Sequence, residues 1–376
     1  MSLSSLLQVL VDFSAKAASI AQTIREDKEL FSLLVEEKTG KSKNIRFDQD
    51  FKTLADVLIQ QTLCDVINKQ FPALKGRVYG EEQACFKNTM GETITVAVQA
   101  DASSTAALLA QVLNGNEKAA DALAQEVHKE LKRDVLVSSA LPTVPLEELA
   151  IWIDPIDSTA EYIKGNELTN GVTRRGLQCV TVLLGVFNTT DGRPIAGVVN
   201  QPFAAAPANG TESAATSVVW GVCGGDNSLS NATSLASRLR CVSVSSSESD
   251  GVIERLAAAG IETLPAAGAG YKALVVINSQ VQAYVCSKAS TYMWDTCAPH
   301  AVLLSLGGGI IPFTSLEQFA RDLPPDASQH QLKYVEARSG GSDISLYCNS
   351  GGVVAYRNLD TLIALAKIIF PSTAAK

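Results

Sequence analysis

Histidine is scarce in this chain: three residues in 376, at positions 128, 300 and 330, with none at ligand spacing. The eight cysteines, at 64, 85, 179, 223, 241, 286, 297 and 348, contain no C-x-x-C pair. A zinc site built on nitrogen and sulfur is therefore disfavoured. Scattered cysteines in a chain this long are expected to be reduced, mostly buried thiols of a cytoplasmic protein. Positive charge is also short. Lys and Arg number 31 against 39 Asp and Glu, giving a net charge of −8 and a pI near 5.1. Such a balance excludes gripping nucleic acid or an anionic membrane through the overall field. No apolar run has the length of a membrane span. The N-terminal stretch lacks a basic segment, and Asp12, Lys16, Arg25 and Asp27 interrupt its apolar residues at helical spacing. It reads as an amphipathic helix and not as a signal peptide. The N-x-T sequons at Asn188, Asn209 and Asn231 carry no weight without a secretory signal.

Hydrophobic residues, at 46%, supply enough apolar material for a large core, and the length allows two or three units. Helical periodicity covers 51–70, and Ala- and Leu-rich helix covers 102–132 with a break at Asn114-Gly115-Asn116. Strands are expected at 77–82, 93–98, 149–153, 178–186, 194–199, 217–222, 273–277, 281–285 and 353–356, with Pro155 ending the third. A helix over 297–306 stops at Gly307-Gly308-Gly309, and another begins at Leu359. No internal repeat is present. The mixture is α/β, or α+β in layers. The residues 204–249, rich in Ala, Ser, Asn, Gly and Thr, place a seam between subdomains at 1–203 and 204–376.

Acidic residues stand where elements meet. In Ile153-Asp154-Pro155-Ile156-Asp157-Ser158-Thr159-Ala160-Glu161, two carboxylates three apart lie between a buried strand and a helix start. Ser158 with Glu161 fits a capping box, so backbone N–H groups would face the same place as the acids. Carboxylates beside such a helix end can hold a hard divalent cation and a phosphate together. A plain helix cap with Asp154 in water is the alternative. Gly80-Glu81-Glu82 follows a strand, Asp295 opens a helix after Trp294, and Asp56 sits inside the apolar Leu54-Ala55-Asp56-Val57. Each alone fits an ordinary cap or a surface charge. Together, with so little histidine, they suit Mg²⁺.

The ordered set G-E-E, D-P-I-D-S-T and W-D-T-C-A resembles the lithium-sensitive, Mg²⁺-dependent phosphatase superfamily of inositol monophosphatase, bisphosphate nucleotidase and fructose bisphosphatase. The likeness runs end to end, through Phe51 to Leu58, Val112 to Asn116, Tyr162-Ile163-Lys164-Gly165, 176–181, Asn200-Gln201-Pro202-Phe203 and 266–274. Ser158, where relatives usually carry Gly, and the separation of 73 positions from Glu81 to Asp154 point to its inositol polyphosphate branch. The resemblance implies a sugar-phosphatase-like αβαβα sandwich of two packed subdomains. It implies a monomer hydrolysing the 1-phosphate of inositol 1,4-bisphosphate and inositol 1,3,4-trisphosphate, with two or three Mg²⁺ ions and inhibition by Li⁺.

Residue roles follow from the same resemblance. Glu81, Asp154 and the Ile156 carbonyl would hold one Mg²⁺, and Asp154, Asp157 and Asp295 a second. Asp56 and Glu82 would border a third position, where Li⁺ acts. Thr159, paired with Asp56, would orient the attacking water. Asp157, Ser158, Thr159, Ser247, Gly268, Ala269, Lys272 and Ser290 would contact the substrate. One position departs: relatives carry a Lys after a Ser-x-Ser-Glu stretch, and here that place is Ser249. A 3′(2′),5′-bisphosphate nucleotidase shares every metal ligand and is the nearest rival reading. A silent metal-binding regulatory protein would predict erosion at Asp56, Thr159 or a bridging acid, and none is eroded. Gly40-Lys41-Ser42 lacks the first glycine of a P-loop, and Asp154 and Asp157 are too far apart for D-x-D-x-T. His300, Lys87 and Tyr162 are expected to be packing or surface residues.

Overall fold

Two large sheets, of six and five strands, and three helical layers build the fold, with two small two-stranded sheets, Val35–Glu37 with Phe51–Thr53 and Cys85–Lys87 with Thr93–Thr95, beside them. The computed structural model describes residues 2–26, 31, 34–38, 51–130, 141, 143–165, 172–204, 217–224, 228–232, 238–321, 323–337 and 343–371. Gly40-Lys41-Ser42, Asn209 and the end of the helix expected over 102–132 lie outside these residues. In chain order the elements used below are α1 (Leu3–Glu26), β1 (Val35–Glu37), β2 (Phe51–Thr53), α2 (Leu54–Gln70), β3 (Val78–Gly80), β4 (Cys85–Lys87), β5 (Thr93–Thr95), α3 (Ala102–Val112), α4 (Glu117–His128), β6 (Leu149–Asp157) and α5 (Thr159–Lys164). There follow β7 (Thr181–Asn188), β8 (Pro194–Gln201), β9 (Ser217–Val222), β10 (Leu229–Ser230), β11 (Cys241–Val244), α6 (Asp250–Ala258), β12 (Glu262–Pro265), α7 (Ala269–Ile277), β13 (Ala283–Cys286), α8 (Met293–Ser305), β14 (Gly309–Ile311), β15 (Val353–Tyr356) and α9 (Leu359–Ile369).

The first sheet runs β10-β9-β8-β7-β6-β3, antiparallel except where β3 meets β6. The second runs β12-β11-β13-β15-β14, with β11 parallel to both β12 and β13. Helices α1 and α2 cover one face of the first sheet, α7 and α8 lie between the sheets, and α6 and α9 cover the far face. This is the expected αβαβα layering. Helix α1 has the length and mean hydropathy (1.2) to cross a membrane. Its apolar residues, among them Leu6, Leu7, Leu10 and Val11, are instead buried in the core shared with β8. The Asn200 amide on β8 donates to the Ser14 carbonyl at 2.8 Å, which fixes the helix lengthwise.

Close approach of α8 to the first sheet depends on small residues. A side-chain carbon at Gly197 would collide with the Ala298 carbonyl, so β8 can lie directly under the helix. The first turn of α8, with Asp295, is thereby brought over β6 and β7. One turn further, His300 is fully buried, with Nδ1 2.9 Å from the Tyr334 hydroxyl and Nε2 2.9 Å from Gln331 Oε1. Burial pushes its pKa down to about 4, so a neutral packing role fits it. Tyr162 is likewise buried, its hydroxyl donating to the Ala21 carbonyl, and Lys87 is exposed.

Four local expectations are corrected. The apolar run 273–277 is helical, because it continues α7, whose positions are buried on all sides between two sheets and so show no amphipathic period. Pro155 does not end β6. The ladder shifts register between Asp154 and Asp157, and the proline occupies that irregularity, where no ladder N–H is required. The change of sheet falls after residue 230 and not at 203/204, since β9 pairs with β8 and β10 with β9 despite their polar surroundings. All eight cysteines are free, but only Cys179, Cys286 and Cys297 are buried. The other five are half-exposed.

Candidate active site

Helix α2 begins with a reciprocal cap. Asp56 is its third residue, and its Oδ2 accepts from the Thr53 N–H at 2.7 Å and the Thr53 hydroxyl at 2.6 Å. Helix α8 repeats the device, with Asp295 Oδ2 accepting from the Tyr292 N–H at 2.6 Å. In each case one carboxylate oxygen is tied to the backbone, which fixes the acid at a helix start. The remaining Asp56 oxygen, Oδ1, is buried and has no hydrogen-bond partner. An orphaned carboxylate oxygen is costly inside a protein unless a cation meets it.

Between these helices, β6 delivers Asp154 and Asp157. Asp157 accepts from Thr181 Oγ1 at 3.0 Å, the Ala269 N–H at 3.2 Å and the Gly270 N–H at 2.9 Å. The chain reaches that position through Gly268, at φ +74°, where a side-chain carbon would stand 2.8 Å from Asp157 Oδ2. Ligand oxygens of Asp154, Asp157 and Asp295 all lie within 4.8 Å of one another. A second lobe holds Asp56, Glu81 and Glu82. Glu82 is clamped by Gln60, which accepts from its N–H at 3.0 Å and donates to its carbonyl at 2.5 Å. Lys38 Nζ stands 2.5 Å from Glu81 Oε1 and 2.6 Å from Glu82 Oε1.

Electrostatics favour a cation here. Burial, then the neighbouring Glu82 carboxylate, pushes Asp56 up to about 8. Burial raises Glu82 to about 7, against the pull of Lys38. Asp154 is raised by burial and by Glu81, Asp157 and Asp295, and Asp295 by burial and Asp157. Asp157 is raised by burial, against Lys272, Thr181 and the two N–H donors. Five crowded carboxyls, all raised above their ordinary values, are what hard oxygen ligands look like before a divalent ion screens them.

Several expected residues stand differently. Ser158 and Glu161 form no capping box. Ser158 is left-handed (φ 73°, ψ 45°), and Glu161 instead accepts from the Gly176 N–H at 2.7 Å and from Lys164 at 3.3 Å. The left-handed backbone gives the relatives' glycine its physical reason, since a side chain there costs roughly 1 kcal/mol. Ser158→Gly should therefore raise the denaturant midpoint of metal-free protein by an amount worth about 1 kcal/mol. An unchanged or lower midpoint would refute the strain. Thr159 Oγ1 donates to the Ile156 carbonyl at 3.0 Å and not to Asp56, whose Oδ2 is already filled by Thr53. Lys272 is buried and donates to the Ala266 carbonyl at 3.0 Å and the Gly268 carbonyl at 2.7 Å, beneath the loop that leads to Ala269. Ser247 lies in the turn after β11. Ser290 follows β13, with its hydroxyl 3.2 Å from Cys286 Sγ.

Lys38, Gln60, Thr53 and Thr181 were not legible as site residues. Lys38, Gln60 and Thr181 each hold an acidic residue from a distant segment, and nothing in spacing connects them. Thr53, three residues before Asp56, offered the single local signal.

The sequence profile of the inositol monophosphatase family matches residues 3–334. The chain belongs to that family. It is a family of metal-dependent phosphatases, which agrees with the acidic cluster. The chain is 39% identical to the mouse (Mus musculus) inositol polyphosphate 1-phosphatase, covering 96% of this chain and 97% of that protein. It is 28% identical to the mouse 3′(2′),5′-bisphosphate nucleotidase 1, over 69% of this chain and 70% of that one. Among solved structures, a staphylococcal IMPase superposes with a TM-score of 0.53 at 11% identity, covering 97% of this chain and 96% of that one. That likeness supports the fold.

Proposed function

We propose that this family member hydrolyses the 1-phosphate of inositol 1,4-bisphosphate and inositol 1,3,4-trisphosphate with Mg²⁺, and that Li⁺ inhibits it. The observation that carries the reading is the convergence of Asp154, Asp157 and Asp295 within 4.8 Å in a chain similar along its length to an inositol polyphosphate 1-phosphatase. The orphaned Asp56 Oδ1 supports a further cation position beside Glu82. Glu81, Asp154 and the Ile156 carbonyl would hold one ion, Asp154, Asp157 and Asp295 a second, and Asp56 with Glu82 a third, where Li⁺ would compete.

When bound, Mg²⁺ supplies Lewis acidity, making water more acidic and neutralising charge on the phosphoryl and leaving oxygens. The chain's own part is positional, as phosphoryl transfer requires. Thr159, with its hydroxyl already oriented on the Ile156 carbonyl, would hold the attacking water as a hydrogen-bond partner, with Asp56 behind it. Ser158 and the N–H groups beside it would face the scissile phosphate. The loop of Gly268 and Ala269, kept in place by Lys272, would border the inositol ring, and Ser247 and Ser290 would face its further substituents. Eight free thiols support assignment to the cytoplasm, where we expect the protein to act as a monomer.

Phosphate release from inositol 1,4-bisphosphate and from adenosine 3′,5′-bisphosphate, in Mg²⁺ with and without millimolar-scale Li⁺, tests the proposal. Turnover of the inositol compound, suppressed by Li⁺, is expected. Turnover of the nucleotide alone would establish the nucleotidase reading instead.

A further inference from the structure

The strands β11, β12 and β13 are mutually parallel across β11, so the segments leaving their C-terminal ends share one edge of the second sheet. Ligands of α/β sheets characteristically bind at such an edge. Here the edge joins the two ends of the acidic cluster. The segment after β12 carries Ala269 and Gly270, whose N–H groups hold Asp157, and the segment after β13 leads to Tyr292 and Asp295. The Ala266 N–H donates to the Val244 carbonyl at 3.2 Å, which sets the turn after β11 between them.

That turn, Ser245-Ser246-Ser247-Glu248-Ser249-Asp250, contains no lysine or arginine. Its carboxylate Glu248 faces inward: the Ser287 N–H donates to it at 2.9 Å, the Ser287 hydroxyl also donates, and the Ser249 N–H donates at 2.8 Å. These bonds stitch the turn to the segment after β13. Immediately beyond the stitch, exposed Lys288 donates its ammonium to the Ser247 carbonyl. The other lysines named at the site are committed. Lys38 is paired with Glu81 and Glu82, and Lys272 is buried on two carbonyls and over the Tyr284 ring. Among the described residues Lys288 forms no ion pair, so its charge is met by a neutral carbonyl alone.

We propose that Lys288 is a specificity-determining residue that receives a phosphate of the substrate other than the one being removed. The inference rests on the reading of the substrate as an inositol polyphosphate. Divalent ions at the carboxylates would neutralise the reacting phosphate and leave the second one without a counter-charge. Lys288, tethered at the same edge to the Ser247 carbonyl, with its own carbonyl accepting from the Ser290 N–H, supplies that charge. Its exposure lets the ammonium leave the Ser247 carbonyl for a stronger, charged acceptor.

Steady-state kinetics of Lys288→Met, Lys288→Glu and Lys288→Arg on inositol 1,4-bisphosphate and on inositol 1-phosphate test this. The expected result is a KM for the bisphosphate raised about tenfold in Lys288→Met and further in Lys288→Glu. Its kcat should change less than about twofold, the KM for the monophosphate should be unaltered, and Lys288→Arg should restore the bisphosphate KM. Equal changes for both substrates, or no change for either, would overturn the role of Lys288 while leaving the phosphatase reading intact. Wild-type protein that turns over neither compound would overturn both. Unchanged melting temperatures would separate these outcomes from misfolding.

Discussion

Asp154→Asn should lower phosphate release by at least about a thousandfold, corresponding to roughly 4 kcal/mol of transition-state stabilisation. Asp154 lies at the end of β6, almost wholly buried, and is the acid shared between the two proposed inner ion positions. Asparagine keeps its size and its place in the register shift of β6, so packing is preserved. What disappears is a negative charge facing Glu81, Asp157 and Asp295, and with it the ability to bridge cations. Because like charges crowd this site without a cation, metal-free Asp154→Asn should be no less stable than wild type. Activity within tenfold of wild type at saturating Mg²⁺ would remove Asp154 from the mechanism.

Metal-free protein should lose stability as pH rises, and Mg²⁺ should restore it. Asp56 is raised to about 8 and Glu82 to about 7, both from ordinary carboxyl values near 4. The folded state therefore holds these protons more tightly than the unfolded chain. Their stabilising effect is complete below about pH 4 and is lost as pH rises through 7 and 8. The loss between pH 5 and 9 should be on the order of 5 kcal/mol, comparable with the lower range of whole-protein stabilities. In EDTA the melting temperature is expected to fall by about 5–10 °C across that range. Saturating Mg²⁺ should flatten the profile, because a cation that binds the native state alone stabilises it most where the carboxylates are ionised. A melting temperature in EDTA that is flat or rising with pH would show that the buried acids are not strained.

The acids themselves could be read from the sequence because each stands at a junction that local pattern reveals: after β3, at the end of β6 and at the starts of α2 and α8. Motif order then supplied the family, and the family supplied the layered fold. Local pattern failed where burial is complete. The helix at 269–277 has no polar face, so its apolar run looked like a strand. The strand expected at 217–222 is β9, but its polar neighbours hid its pairing with β8 and the short β10 beyond it, so the seam was placed before them. Ser158 with Glu161 matched a cap by spacing alone. Backbone conformation decided otherwise, since a left-handed Ser158 cannot present its hydroxyl to the helix, and Glu161 turns to Gly176. Lys38 and Gln60 act on Glu81 and Glu82 across more than twenty residues, and only the folded chain brings them together.

The most direct measurement of the central claim is ³¹P nuclear magnetic resonance of the products formed from inositol 1,4-bisphosphate in Mg²⁺, with an EDTA control. The expected result is inositol 4-phosphate and inorganic phosphate in equal amounts, with no reaction in EDTA. Accumulation of inositol 1-phosphate, or turnover that persists in EDTA, would contradict the account.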